Sequence, residues 1–190
     1  MIILASQSPY RKSLMAKTGY SFKPVSPLVD EEILKKSFVG ELKDLIQFLA
    51  YKKAESLLNI HPNDVIVGSD QALIFEGELV GKGHSFEGSK KQLQAMSEKK
   101  VELVTSVSIL QSKKRIDFSN STWLQFKTLS ESLIDWYLKA DEPFDCAGSF
   151  KIESSGAVLF DHIECSDPTA VQGLPLMRLV KELEMLSIVR

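Results

Sequence analysis

Residues 2–11 constrain the fold most. Ile2, Ile3 and Leu4 form an apolar triplet that predicts a short buried strand, and Ala5-Ser6-Gln7-Ser8-Pro9-Tyr10-Arg11 follows at once. Ser8 suits an N-cap and Pro9 suits the first helical position, whose N–H has no intrahelical partner in any case. The segment therefore predicts a strand that delivers a helix N-terminus. Such an end presents backbone N–H groups and a partial positive charge, and the hydroxyls of Ser6 and Ser8 with the Arg11 guanidinium add donors suited to phosphate. The same residues also suit an ordinary capped helix with a surface arginine.

The 190 residues, 44% of them hydrophobic, are enough for one sizeable domain over residues 1–190. A net charge of −2 gives no general attraction to a nucleic-acid polymer or an anionic membrane, so phosphate-binding cations must be gathered locally. A small phosphorylated ligand fits that balance better. Cys146 and Cys165 lack the paired short spacings of a zinc site and read as reduced, structural thiols. No apolar run approaches the roughly 18 to 20 residues that span a bilayer, and the N-terminal triplet has no basic leader, so a cytoplasmic chain is expected. No repeat or Gly/Pro/Ser-rich linker divides it.

The pattern along the chain is α/β. A helix from Pro9 to about Thr18, stopped by Gly19, is followed by a strand over Phe22 to Val25. Glu41 to Leu58 reads as a long amphipathic helix with Leu42, Leu45, Ile46, Leu49 and Leu57 on its apolar faces. A buried strand at Val65, Ile66 and Val67 is expected to end at Gly68-Ser69-Asp70-Gln71, ahead of a hairpin of Ala72 to Phe75 and Glu78 to Val80 around Glu76-Gly77. Further on, helices are expected over Ser85 to Met96, after Ser130, and from Pro175. Strands are expected over Val101 to Leu110, Ile116 to Phe126, Gly148 to Lys151 and Ala157 to Phe160.

Among polar residues, Asp70 stands at the expected carboxyl end of a buried strand, where open α/β sheets expose their chemistry, and can hold a metal, act as a base or close a turn. Asp30, Glu31 and Glu32 form an acidic loop cluster whose oxygens suit a hard divalent cation, or else a solvated helix start. Lys52, Lys53 and Lys82 are candidate phosphate contacts. In Asp145-Cys146-Ala147-Gly148-Ser149-Phe150-Lys151-Ile152-Glu153, small residues let backbone approach a ligand, and Glu153 can accept two hydrogen bonds from a base edge. His61, His84 and His162 have no metal-ligand spacing, and no serine sits in a nucleophile motif.

Taken in order, Leu4-Ala5-Ser6-Gln7-Ser8-Pro9-Tyr10-Arg11, Val29-Asp30-Glu31, Leu49-Ala50 with Lys53-Ala54, Gly68-Ser69-Asp70-Gln71, Gly81-Lys82, Cys146-Ala147-Gly148-Ser149-Phe150-Lys151 and Gly173-Leu174-Pro175 resemble the Maf family of nucleoside triphosphate pyrophosphatases over essentially the full chain. The resemblance implies an elongated α/β fold with a mixed sheet, similar to inosine triphosphate pyrophosphatases, with two lobes around a cleft. It also implies a divalent metal cation (Mg2+ or Mn2+), release of pyrophosphate from a nucleotide, and a homodimer. By position, the family's catalytic acid or base falls on Asp70 and its second carboxylate on Glu31, both of them metal ligands. Its phosphate-binding groups fall on Ser6, Arg11, Lys53 and Lys82. A metal ligand and a base use the same side chain, so the division between Asp70 and Glu31 stays open.

Tyr10, Gln71 and Glu153 resemble the specificity residues of the branch acting on N7-methylguanosine triphosphate, whereas the branch acting on dTTP and UTP carries Arg, Thr and Gln there. Methylation at N7 leaves the guanine with delocalised positive charge, which favours an aromatic face and a carboxylate that pairs with the N1 and N2 donors. Gly83, Ser154 and Ser106 depart from the family pattern, which has proline, glycine and a small residue, often glycine, in their places. Hydrolysis of N7-methyl-GTP to the monophosphate and pyrophosphate is therefore expected. The alternatives are the same reaction on dTTP or UTP, and a nucleotide-binding regulator of septum formation.

Overall fold

In the computed structural model, residues 1–188 are described. Among them, seven strands form a mixed sheet in the order β2-β1-β3-β5-β6-β7, with β4 paired to β3. The strands are β1 (Ile2–Leu4), β2 (Phe22–Pro24), β3 (Val65–Phe75), β4 (Glu78–Val80), β5 (Lys100–Gln111), β6 (Lys114–Phe126) and β7 (Phe160–Glu164). The helices are α1 (Pro9–Ala16), α2 (Glu31–Ser37), α3 (Leu42–Glu55), α4 (Phe86–Met96), α5 (Glu131–Asp141) and α6 (Leu176–Met185). Short 3-10 turns occupy Ser155–Leu159 and Pro168–Gln172.

Two compact units divide the chain, and β3, β5 and β6 each contribute residues to both. The first comprises Met1–Gln71, Thr105–Asn120 and the residues from Asp167 onward; the second comprises Ala72–Val104 and Ser121–Ser166.

In the first unit, β1 pairs in parallel with β2 and β3, with Ile2 opposite Val65 and Leu4 opposite Val67. Successive side chains on a strand point to opposite faces, and both faces here are apolar. Ile2, Leu4, Val65 and Val67 pack with Leu14, Met15, Leu174, Leu179 and Leu183 on one face, the last two of which α6 supplies. Ile3, Ala5 and Ile66 pack with Ala54 and Leu57 on the other. Ser8 caps α1 by accepting from the Arg11 N–H at 3.4 Å, with Pro9 at the first position, as expected.

In the second unit, α4 packs on α5. Phe126, Phe150 and Phe160 meet edge-on or tilted with centroids 4.5–6.0 Å apart. Ser85 and Ser130 cap α4 and α5 through the N–H groups of Gly88 and Leu133. The β3–β4 hairpin turns at Glu76 and Gly77, both at positive φ (51° and 84°), as a two-residue turn of this twist requires.

Three expectations are corrected. The strand expected to end at Gly68 continues unbroken through Gly68-Ser69-Asp70-Gln71 to Phe75, so Asp70 lies within a strand. Gly148 to Lys151 is a turn, because Gly148 and Ser149 take positive φ (71° and 59°) that no strand accommodates. Ala157 to Phe160 is mostly 3-10 turn, with the strand beginning at Phe160. Helix ends shift slightly: Pro175 caps α6 instead of starting it, and α3 spans Leu42–Glu55.

Candidate active site

The continuity of β3 decides how the first unit is arranged around Asp70. Even-numbered residues 66, 68 and 70 share one face, and α3 lies against it. A Cβ on Gly68 would fall 2.2 Å from the Ala50 carbonyl oxygen and 2.8 Å from the Ala54 nitrogen, so only glycine admits this approach. Ala50 and Ala54, one turn apart on α3, are the small residues on the other side. Lys53 lies beside Ala54, and the close packing delivers its ammonium to the next even position of β3. Its Nζ sits 2.5 Å from Asp70 Oδ1. Lys53 and Asp70 are both buried, at 6% and 7% exposure.

Glu31 reaches the same ammonium, with Oε1 2.9 Å from Lys53 Nζ. The acidic cluster expected in a loop is a helix start, because Asp30 accepts from the N–H groups of Glu32 and Ile33 at 3.0 and 3.1 Å and caps α2. That cap leaves Glu31 at the first helical position. Burial works against its charge, but Lys53, by charge and hydrogen bond, together with Lys35 and Arg11, outweighs this and holds the carboxyl below its ordinary value. Glu32 turns instead to Lys35 at 3.0 Å.

Arg11 approaches from the opposite face of β3. Its Nη1 donates to the Ser69 carbonyl at 2.7 Å and its Nε to the Gly173 carbonyl at 3.0 Å. Burial lowers its pKa, while Asp70 and Glu31 pull the other way. Ser6 is buried and accepts from the Ser8 N–H at 3.2 Å, so its hydroxyl helps to shape the turn before α1. Tyr10, on the first turn of α1, is 37% exposed. Gln71 is half-buried, and its amide nitrogen donates to Thr105 Oγ1, to the Ala170 carbonyl and to the Val171 carbonyl at 2.8, 2.8 and 3.1 Å. Lys52 pairs with Glu55 at 2.5 Å on the outer side of α3.

Lys82 and Glu153 belong to the second unit. Lys82 is exposed, and its backbone bridges to Ala147. Gln92 ties this segment together: its amide donates to the Gly81 carbonyl at 3.1 Å and its oxygen accepts from the Ser149 hydroxyl at 2.6 Å. Gly83 suits the same packing, since a Cβ there would lie 2.1 Å from Ser89 Oγ. Glu153 is exposed on a turn, not on a strand. The turn is anchored to the end of α5: Asp141 accepts from the Ser154 hydroxyl at 2.8 Å and the Ser155 N–H at 3.0 Å, and Lys151 Nζ donates to the Asp141 carbonyl at 2.8 Å. Burial, reinforced by Asp145, pushes the Cys146 thiol up to about 11, which suits the structural role expected of it.

The family profile described as "Maf-like protein" matches residues 1–186. The chain belongs to the Maf-like family. It is 41% identical over 183 residues to a protein of Bdellovibrio bacteriovorus named 7-methyl-GTP pyrophosphatase, covering 96% of this chain and 95% of that one. It is 40% identical over 183 residues to a protein of the same name from Pseudomonas syringae pv. tomato, covering 94% and 93%. A solved structure titled as a nucleoside-triphosphatase (dITP/XTP pyrophosphatase) from Mycobacterium abscessus superposes with a TM-score of 0.44 and 14% identity over 66% of this chain and 73% of that one.

In this Maf-like chain the structure joins Glu31, Lys53 and Asp70 directly, with Arg11 bonded to the residue before Asp70. Sequence reasoning missed Ser69, Thr105, Asp167, Gln92 and Asp141. Asp167-Pro168-Thr169 carried a readable signal, a capping aspartate before a proline, whereas the others act through hydrogen bonds between residues far apart in sequence. Chemically, the first unit offers carboxylate oxygens for a cation or a water and cationic donors for phosphate. Among the described residues no group of three or more His, Cys, Asp and Glu converges as a metal cage. No helix among them is long and apolar enough to cross a membrane.

Proposed function

We propose that this chain hydrolyses a nucleoside triphosphate, preferentially N7-methyl-GTP, to the monophosphate and pyrophosphate. The observation that supports the reading most is the buried Asp70–Lys53–Glu31 cluster, in a chain that aligns almost end to end with relatives named for that reaction. Water attacks the α-phosphorus, the bond from that phosphorus to the α–β bridging oxygen breaks, and pyrophosphate departs with the electron pair. Asp70 orients the water and takes its proton; Lys53 and Arg11, with Ser6 at the helix N-terminus, hold the triphosphate.

The donor set fits a divalent cation in one mode. Lys53 contacts a single oxygen of each carboxylate, Asp70 Oδ1 and Glu31 Oε1, so each retains a second hard oxygen. Magnesium is commonly held by one or two carboxylates together with substrate phosphates and water. Asp70 and Glu31 would hold Mg2+ or Mn2+, which when bound neutralises charge developing on the phosphate oxygens.

For the base, the family resemblance gives Tyr10 the role of an aromatic face and Glu153 that of a carboxylate, chemistries suited to the cationic methylated guanine. The same reading makes the enzyme cytoplasmic and homodimeric, with a small nucleotide and not a nucleic-acid polymer as its substrate. It is tested by pyrophosphate release over a panel of N7-methyl-GTP, GTP, dTTP and UTP with added magnesium or manganese. Preference for N7-methyl-GTP supports it, preference for dTTP or UTP moves the chain to the other branch, and binding without release favours a regulator.

A further inference from the structure

We propose that Gln71 is a positioning residue for Asp70, acting with Thr105 and Ser69 through the carbonyl groups at 170–173. The inference rests on the catalytic reading of Asp70 given above. Pairing of β3 with β1 ends at Val67, opposite Leu4, and pairing with β4 begins only at Leu73. Residues 68–72 thus lie between the two registers, and Asp70 is at their centre. With neither β1 nor β4 paired to it, this stretch has β5 as its strand neighbour, and a carboxylate on it gains from further restraints that hold one geometry.

Those restraints come from the face of β3 opposite Lys53, where side chains 69 and 71 flank Asp70 on both sides. The Ser69 hydroxyl donates to the Gly173 carbonyl at 2.8 Å. The Gln71 amide donates to the Ala170 and Val171 carbonyls, and Thr105 donates to the same Ala170 carbonyl at 2.8 Å while accepting from Gln71. The carbonyls belong to the end of the 3-10 turn Pro168–Gln172, where the Ala170 carbonyl also accepts from the Gly173 N–H at 2.9 Å and, as at any helix end, the last carbonyls have no intrahelical donor. The turn is itself fixed. Buried Asp167 accepts from the Thr169 N–H at 3.0 Å and the Met177 N–H at 2.8 Å, tying the turn to α6.

Gly173 closes the arrangement at φ +93°, where a Cβ would lie 2.9 Å from Arg11 Nε. Gln71 therefore spends its amide donors on the protein frame, and in place of the specificity role that the resemblance implies for it, its effect on turnover passes through the placement of Asp70. A displacement of about 1 Å at a reacting group can cost about 10²-fold in rate.

The test compares Gln71→Met, which keeps length and removes the donors, with Thr105→Val and Thr105→Ser, which remove and retain the hydroxyl. Steady-state kinetics are measured on N7-methyl-GTP and UTP well below each variant's melting midpoint. Gln71→Met and Thr105→Val are expected to lower kcat roughly 10- to 100-fold, with KM within about twofold and the ratio of kcat/KM between the two nucleotides unchanged. Thr105→Ser is expected to restore most of kcat. A lowered melting midpoint with normal kcat makes the contacts structural only and overturns the proposal, and so does a shift of about tenfold or more in the nucleotide ratio for Gln71→Met, which would make Gln71 a reader of the base. Where Gln71→Met does not fold, the Thr105 pair decides alone: equal kcat in Val and Ser variants overturns the proposal. Asp70→Asn is assayed in parallel. Its retained activity would remove the underlying reading, whereas an inactive Asp70→Asn beside normal Gln71→Met and Thr105→Val refutes the positioning role only.

Discussion

Lys53→Met removes the cation that joins the two carboxylates while keeping most of the apolar stem. The pair with Asp70 is buried on both sides, with side-chain exposures of 8% and 10% at an N···O distance of 2.5 Å. Removing one partner of such a pair leaves an uncompensated buried charge and costs about 3–5 kcal/mol. The pair with Glu31 adds little, because that carboxylate is 41% exposed and such pairs are worth about 0–1 kcal/mol. Nearly all of the expected loss therefore comes from Asp70.

The loss should depend on pH. The carboxyl of Glu31 is held below its ordinary value, burial opposing its charge but Lys53 outweighing burial. A depressed carboxylate contributes stability that is full above its unfolded pKa of about 4.3 and is lost as pH falls through the lower folded value. The variant lacks this contribution at every pH, so as acid removes it from the wild type the gap narrows by about 1 kcal/mol at most. Urea denaturation of wild type and Lys53→Met at about pH 7 and about pH 3 should show a gap of about 3–5 kcal/mol that narrows by about 1 kcal/mol at most in acid. A gap under about 1 kcal/mol at neutral pH would refute the buried-pair argument.

Gly68→Ala places a methyl group 2.2 Å from the Ala50 carbonyl oxygen, so α3 must retreat. Overpacking of this kind costs about 1–3 kcal/mol, read as a lower melting midpoint, and should carry Lys53 away from Asp70 with a fall in kcat. On the proposed function, Glu153→Gln would remove a charge-assisted hydrogen bond worth roughly 1.5–3 kcal/mol, which is roughly ten- to more than a hundredfold in preference for N7-methyl-GTP over UTP. Tyr10→Ala should act in the same direction, and equal falls in kcat/KM on both nucleotides would assign these side chains to general support. Excess chelator should stop pyrophosphate release and added magnesium or manganese restore it; full turnover in chelator would exclude the divalent ion.

Much of this was legible in sequence because it is local. Ser8 and Ser130 cap the helices they are expected to cap, Ser85 caps the helix expected to start with it, and Glu76-Gly77 turns the hairpin, since a cap or a tight turn depends on residues within one turn of itself. Lys53 and Asp70 were both named as candidates, but their ion pair spans 17 positions and needs Gly68 for its close approach. Gly68-Ser69-Asp70 has the composition of a turn. In the fold the glycine is there for α3, and the strand runs on beside β5 between its pairings with β1 and β4. The late turns were misread for the opposite reason: Gly148 and Ser149 sit at positive φ within a segment whose hydrophobicity suggests a strand. The carbonyls at Ala170, Val171 and Gly173 carried no signal, since backbone acceptors leave no mark on residue type.

The central claim is that the Asp70 carboxylate, held against Lys53, carries the reaction. Pyrophosphate release from N7-methyl-GTP by wild type and Asp70→Asn tests it most directly, with circular dichroism and melting curves establishing that the variant is folded. The substitution keeps volume and removes charge, and loss of a positioned general base alone is worth ~10²–10⁴ in rate. A folded Asp70→Asn whose turnover falls by at least that factor is the predicted result, and a folded Asp70→Asn with near-normal turnover would contradict it.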